Sequence, residues 1–236
     1  MTRSNLEILA YEDTDLGPLC LRRRELLSAP GTIVTEITLD NAFLMSSLHT
    51  ASEKALARIA LDLHEGSDLR VLVGGLGLGY TAHAALESSR ITSLDALELL
   101  PQVIDWFDRG LVPLSSALAQ DHRFSAIQGD AYALLSVAPS KRYDLILIDI
   151  DHAPDDRLGS ADDSFYTEEG VGRAKRHLAP GGVLGVWSYA ESSPFERALR
   201  SVFGHVRVEP VTFFNDMVNE ERTDWLFFGR QDEPGE

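Results

Sequence analysis

The stretch Val71-Leu72-Val73-Gly74-Gly75-Leu76-Gly77-Leu78-Gly79, with Glu98 nineteen residues beyond its last glycine, decides the fold. An apolar β-branched run ends in glycines at positions 75, 77 and 79, and an apolar helical pattern follows through Tyr80, Ala84, Ala85 and Leu86. That is the layout of a strand turning into a helix around a ligand, because glycines let the backbone turn sharply and approach closely. Glu98 closes the next predicted strand, where a carboxylate can accept both hydroxyl protons of a ribose. The spacing is Gly-x-Gly-x-Gly rather than Gly-x-Gly-x-x-Gly. It points away from dinucleotides, whose pyrophosphate seeks a helix N-terminus, and toward a nucleoside without phosphates, of the S-adenosylmethionine kind. The bland reading is a structural turn whose glycines only permit tight packing.

Outward from this turn, strands and helices alternate. Strands are expected at 70–74, 93–98, 123–128, 143–150, 182–188, 205–212 and 223–229, and helices at 79–88, 101–108, 131–137, 166–178 and 193–203. Pro101 suits a first helical turn, and Pro180-Gly181-Gly182 is expected to end a helix before the strand from Val183 to Trp187. The pattern predicts an α/β fold with a doubly wound, mostly parallel seven-stranded sheet that ends in an antiparallel hairpin. Residues 1 to about 48 read differently. Short alternating runs at 6–9, 19–21 and 32–37, separated by Gly17-Pro18 and Pro30-Gly31, predict a small antiparallel β unit, with a helix from Ser52. The expected division is a β unit at 1–50, a nucleoside-binding domain at 51–230 and a tail at 231–236.

Composition narrows the chemistry. The 236 residues are 44% hydrophobic and 25% charged, values of a soluble globular protein, and no apolar run approaches the ~20 residues needed to span a bilayer. The first residues hold Arg3, Asn5 and Glu7 rather than an apolar signal segment, and the one cysteine, Cys20, cannot make an internal disulfide. Both lead to the expectation of a cytoplasmic protein with no membrane association. A net charge of −16 repels phosphate backbones, so nucleic acid is not the expected partner, whereas an amine or sulfonium is attracted. Metal binding is not expected, since there is neither a cysteine cluster nor a histidine pair at helical spacing.

In open α/β sheets ligands bind at the carboxyl ends of the strands. Those loops hold Gly75, Gly77 and Gly79, then Glu98, then Gly129-Asp130-Ala131, then Asp149-Ile150-Asp151-His152. Asp130 can accept from an adenine amine while the N–H of Ala131 meets a ring nitrogen; it can equally cap the next helix. Asp149 ends the buried run Tyr143 to Ile148, where a charge needs a partner such as a cation or a substrate proton. Asp149, Asp151, Asp155, Asp156, Asp162 and Asp163 place six acids in fifteen residues. They read as a solvated loop or as a mouth that gathers a cation and supplies a base, with His152 a further proton acceptor.

The segments 71–79, 97–101, Gly129-Asp130-Ala131, 143–149, Ser164-Phe165-Tyr166 and 178–182 resemble the spermidine synthase family. That family is a branch of the S-adenosylmethionine-dependent methyltransferase fold, and the resemblance runs over roughly residues 39 to 229. It implies a small N-terminal β unit, possible homodimers, and transfer of an aminopropyl group from decarboxylated S-adenosylmethionine to putrescine or a related amine. It further implies that Glu98 holds the ribose, that Asp130 reads the adenine, and that Asp149 helps deprotonate the attacking amine. In this reading Asp151 and Tyr166 line the acceptor site, although an aromatic after a loop is equally explained by plain packing. Two positions depart from the family. Gly77 stands where the family carries an aspartate that holds the donor's ammonium, and His152 stands where it carries a second acidic residue. Both departures make full S-adenosylmethionine a second candidate donor, with methyl transfer as the reaction. A nucleoside-binding scaffold without catalysis is the third reading.

Overall fold

Two sheets organise the chain, whose computed structural model describes residues 5–150, 154, 165–215 and 219–232. The first is an antiparallel meander of β1 (Leu6–Thr14), β2 (Gly17–Glu25), β3 (Ile33–Leu39) and β4 (Ala42–Ser46). Alternation gives it one apolar face: Leu19, Leu21 and Ile37 are fully buried against the rest of the protein. On the opposite face the buried Glu36 accepts from Arg22 Nε at 2.9 Å and Arg24 Nε at 2.7 Å, so its charge is matched. The sequence reading missed β4. Its signal is the pair Asp40-Asn41, both left-handed at φ 48° and 63°, which turns the chain tightly from β3 into β4.

The second sheet begins after α1 (Ala51–Leu63). It contains β5 (Leu69–Gly74), β6 (Ile91–Glu98), β7 (Phe124–Gln128), β8 (Tyr143–Ile148), β9 (Leu178–Ser188), β10 (His205–Asn215) and β11 (Glu220–Arg230). Their order is β10-β11-β9-β8-β5-β6-β7, with β5 to β9 parallel and the final hairpin antiparallel, as expected. The connecting helices are α2 (Tyr80–Leu86), α3 (Pro101–Asp108), α4 (Ser115–Gln120), α5 (Ala131–Ser136), α6 (Glu168–Lys175) and α7 (Ser193–Val202). Central strands are apolar on both faces because helices cover both. Val71, Val73, Leu145 and Leu147 pack on the side of α1 and α2, while Leu72, Ile146 and Ile148 join Leu135, Val171 and Leu199 on the other.

Three details differ from the sequence reading. The short α4 was not anticipated. Helix α6 stops at Lys175, so Pro180-Gly181-Gly182 does not end a helix; it forms an irregular bulge inside β9, with Gly181 at φ 72°. Gln231 is tied to the sheet, its N–H donating to the Gly182 carbonyl at 2.8 Å. For the site, the decisive feature is that β5 lies between β6 and β8. The winding direction reverses there, and the loops after β5 and β8 diverge to leave a crevice. Among the described residues, no helix is long and apolar enough to cross a membrane.

Candidate functional site

A cavity of about 570 Å³ opens at this reversal. Its floor is the glycine loop from Gly75 to Gly79, and one wall is Asp149 at the end of β8 with Ser52 and Glu53 at the start of α1. Trp187, Phe213 and Asp224 close the side of the β9–β11 strands, and Phe43 and Met45 of β4 form the roof.

The loop keeps its shape because its leucines are anchors: Leu76 and Leu78 are 4% and 2% exposed. Its glycines are required by geometry. Gly75 sits at φ 92°, and a Cβ there would collide with the Asp149 carbonyl oxygen. Gly75→Ala is therefore expected to destabilise the protein by about 2 kcal/mol or more, measured by urea unfolding. Glu98, 8% exposed, braces the same loop. Its carboxylate accepts from the N–H groups of Leu76 at 3.1 Å, Gly77 at 3.4 Å and Leu100 at 2.9 Å. Burial raises its pKa and these amides oppose the rise. It is not turned to solvent; its present partners are loop amides.

Three carboxyl groups share the cavity. Asp149 accepts a short hydrogen bond from Thr81 Oγ1, and Asp224 accepts one from Ser52 Oγ at 2.6 Å. The same Ser52 hydroxyl lies 3.1 Å from Glu53 Oε2. Taking these groups out of water disfavours their charged forms, and each negative neighbour adds to the effect. Glu53 is pushed up to about 8, by burial first and by the Asp149 charge second. Asp149 is pushed up to about 6 by burial, against the Thr81 hydrogen bond and with a further push from Asp224. Asp224 is also raised by burial, against Ser52, Trp187 and His49. The His49 ring packs on Phe213 with centroids 4.9 Å apart. Arg222 also lines the cavity but pairs with Glu220 at 2.9 Å, so the three carboxyl groups outnumber the nearby cation and can take a further cation, a proton, or one after the other.

Asp149 and the glycines are thus brought together, but other expected site residues lie elsewhere. Asp130 caps α5, accepting from Tyr132 N–H at 2.8 Å and Ala133 N–H at 3.1 Å. Ala131, 4% exposed, packs over Gly74. Both sit beyond the cavity wall, at the end of β7 two strands from the glycine loop. Tyr166 does not line the cavity either. Its hydroxyl pairs with that of Tyr132 at 2.7 Å inside an aromatic cluster with Phe165 and Phe195. Asp151 and His152, with Asp155, Asp156, Asp162 and Asp163, lie outside the described residues. The sequence reading missed Glu53, Asp224, Ser52, Trp187 and Met45 as site residues. Asp224 carried a signal, since it shares strand parity with the fully buried Leu226 and Phe228, a face where an unpartnered acid is costly.

No family model matches the chain. It is similar to polyamine aminopropyltransferase 2 of Streptomyces coelicolor, 33% identical over 123 residues, or 51% of this chain and 22% of that protein. Putrescine N-methyltransferase 2 of Nicotiana tabacum is 34% identical over 117 residues, 49% of this chain and 31% of the relative. The polyamine aminopropyltransferase of Prochlorococcus marinus is 30% identical over 142 residues, 58% and 48% of the two chains. The chain thus spans less than half the length of each of these relatives. Among solved structures, spermidine synthase from Thermotoga maritima has the same fold, with a TM-score of 0.73 at 18% identity over 96% of this chain and 73% of that one. A spermidine synthase bound to the transition-state analogue AdoDATO matches with a TM-score of 0.72. The resemblance to spermidine synthases read from the sequence is borne out by relatives and fold alike.

Proposed function

We propose that this protein transfers an alkyl group from a sulfonium nucleoside to a small amine, with aminopropyl transfer as the leading reaction. The observation that carries this reading is the trio Glu53, Asp149 and Asp224 facing the glycine loop across one cavity. An amine arrives as an ammonium ion and must lose a proton before its nitrogen can attack. Carboxylates whose pKa values burial has raised attract the cation and then take that proton. The amine nitrogen bonds to the carbon on sulfur, the carbon–sulfur bond breaks, and its electron pair returns to sulfur as a neutral thioether. The chain's part is alignment and exclusion of water. Glu98 at the loop and Asp130 on the neighbouring strand end are the proposed ribose and adenine contacts, with the nucleoside extending from the cavity across β6 and β7.

Methyl transfer from full S-adenosylmethionine is the second reading. The residue at 77 is glycine rather than an acid, so the loop offers no carboxylate to a donor's bare ammonium. The putrescine N-methyltransferases among the similar proteins fit this reading as well. Titration calorimetry with S-adenosylmethionine, its decarboxylated form and methylthioadenosine separates the alternatives. Tight binding of the decarboxylated donor supports aminopropyl transfer, preference for the full donor supports methyl transfer, binding without turnover of any amine leaves a nucleoside-binding scaffold, and binding of none overturns the nucleoside reading. A reducing cytoplasm fits the single buried Cys20, and the N-terminal sheet is the proposed surface for a homodimer.

A further inference from the structure

We propose that Met45 selects among sulfonium donors by filling the space above Gly77 with a thioether; this rests on the sulfonium-nucleoside reading given above. Gly77 has φ 50°, and a Cβ built on it would lie 2.6 Å from both Sδ and Cε of Met45. Met45 pairs with Ile37 across β3–β4, and Ile37 is fully buried on the face that packs against the main sheet. The pairing then slips: Ile37 faces Met45 but Thr38 faces Phe43, leaving Leu44 as an extra residue. A bulge of this kind re-aims side chains, and here Phe43, Leu44 and Met45 all reach the cavity.

A donor placed between the loop and Asp149 must send one sulfonium substituent under this roof. A thioether is a weak acceptor and carries no charge. It gives a bare ammonium tail no counter-charge, whereas a tail bearing its own carboxylate is internally neutral and less costly to desolvate. Met45 therefore lowers the affinity for a decarboxylated donor relative to a full one, which weights the choice of donor toward methyl transfer, the second reading above. Its side chain is long and flexible, so it can be replaced without rebuilding the loop.

The test is titration calorimetry on wild type, Met45→Glu, Met45→Ala and Met45→Leu with S-adenosylmethionine, its decarboxylated form and methylthioadenosine. Met45→Glu is expected to raise the affinity ratio of decarboxylated to full donor by about tenfold or more, the effect of an opposite charge at close range. Met45→Ala moves it the same way by less, and Met45→Leu leaves it unchanged. Methylthioadenosine, which has no tail, should bind all four within about twofold. If methylthioadenosine binds throughout and the ratio stays within about twofold in both Met45→Glu and Met45→Ala, the assignment to Met45 is overturned while the nucleoside reading stands. If wild type does not bind methylthioadenosine, the nucleoside reading fails and this inference with it.

Discussion

Asp149→Asn is expected to lower kcat/KM for the amine by about 10²- to 10⁴-fold while leaving donor affinity within about threefold, the signature of a lost base rather than a lost pocket. The side chain ends β8 at the winding reversal, and Thr81 Oγ1 fixes its orientation. Asparagine keeps the volume, and its carbonyl oxygen can still accept from Thr81, so the fold should survive. What is lost is a group with a pKa near 6, basic enough at pH 7 to take a proton from an ammonium held close by. In wild type, kcat/KM should rise with pH through about 6 as Asp149 ionises. That limb should vanish in the variant. The rival is Glu53, which shares the cavity. Steady-state kinetics decides between them: if Asp149→Asn costs less than about tenfold and Glu53→Gln costs more, the base has been misassigned.

How much of this could be seen in the sequence depends on how local each signal is. The parallel sheet was legible because Val71-Leu72-Val73 and Leu145-Ile146-Leu147 must be apolar on both faces, and each run ends in its loop within a few residues. The β5 turn was legible for the same reason, since Gly75 and Gly79 sit at φ 92° and 87° and the requirement is written at those positions. Helix α4 was not, because six residues without a capping side chain leave no pattern of their own. The acidic trio was hidden by distance along the chain. Ser52 and Asp224 are 172 residues apart, and only the packing of α1 beside β11 brings them to 2.6 Å. At the start of an amphipathic helix, Glu53 carries no local mark that sets it apart from a solvated position. Its functional character comes from Asp149 and from burial, neither of which belongs to α1. Asp130 was legible in kind but ambiguous in role, and its cap of α5 accounts for its position without any ligand.

Glu53→Gln should uncouple stability from amine binding, with opposite signs. In wild type the Glu53 carboxyl has an ordinary value of 4.5 and is raised to about 8 in the folded chain. Between those values the folded state holds a proton that the unfolded state has released. Stability contributed by that proton is full below about 4.5 and falls steadily until about pH 8. Asp149 and Asp224 are shifted in the same direction and add to the slope. The variant removes the Glu53 part. At pH 4 it should match wild type within about 0.5 kcal/mol, since Glu53 is then mostly protonated in both the folded and the unfolded chain and, like Gln, neutral. At pH 8.5 it should be more stable by about 1 to 3 kcal/mol, because one buried negative charge has gone from beside Asp149. A diamine should reverse this order. Its ammonium groups supply the missing positive charge, so wild type should gain several degrees of Tm on saturation above pH 7 and Glu53→Gln markedly less. Thermal unfolding at both pH values, with and without amine, measures all four quantities. A Gln variant that is less stable than wild type at pH 8.5, or that gains as much from the amine, would mean that Glu53 is a structural carboxyl already satisfied by the protein.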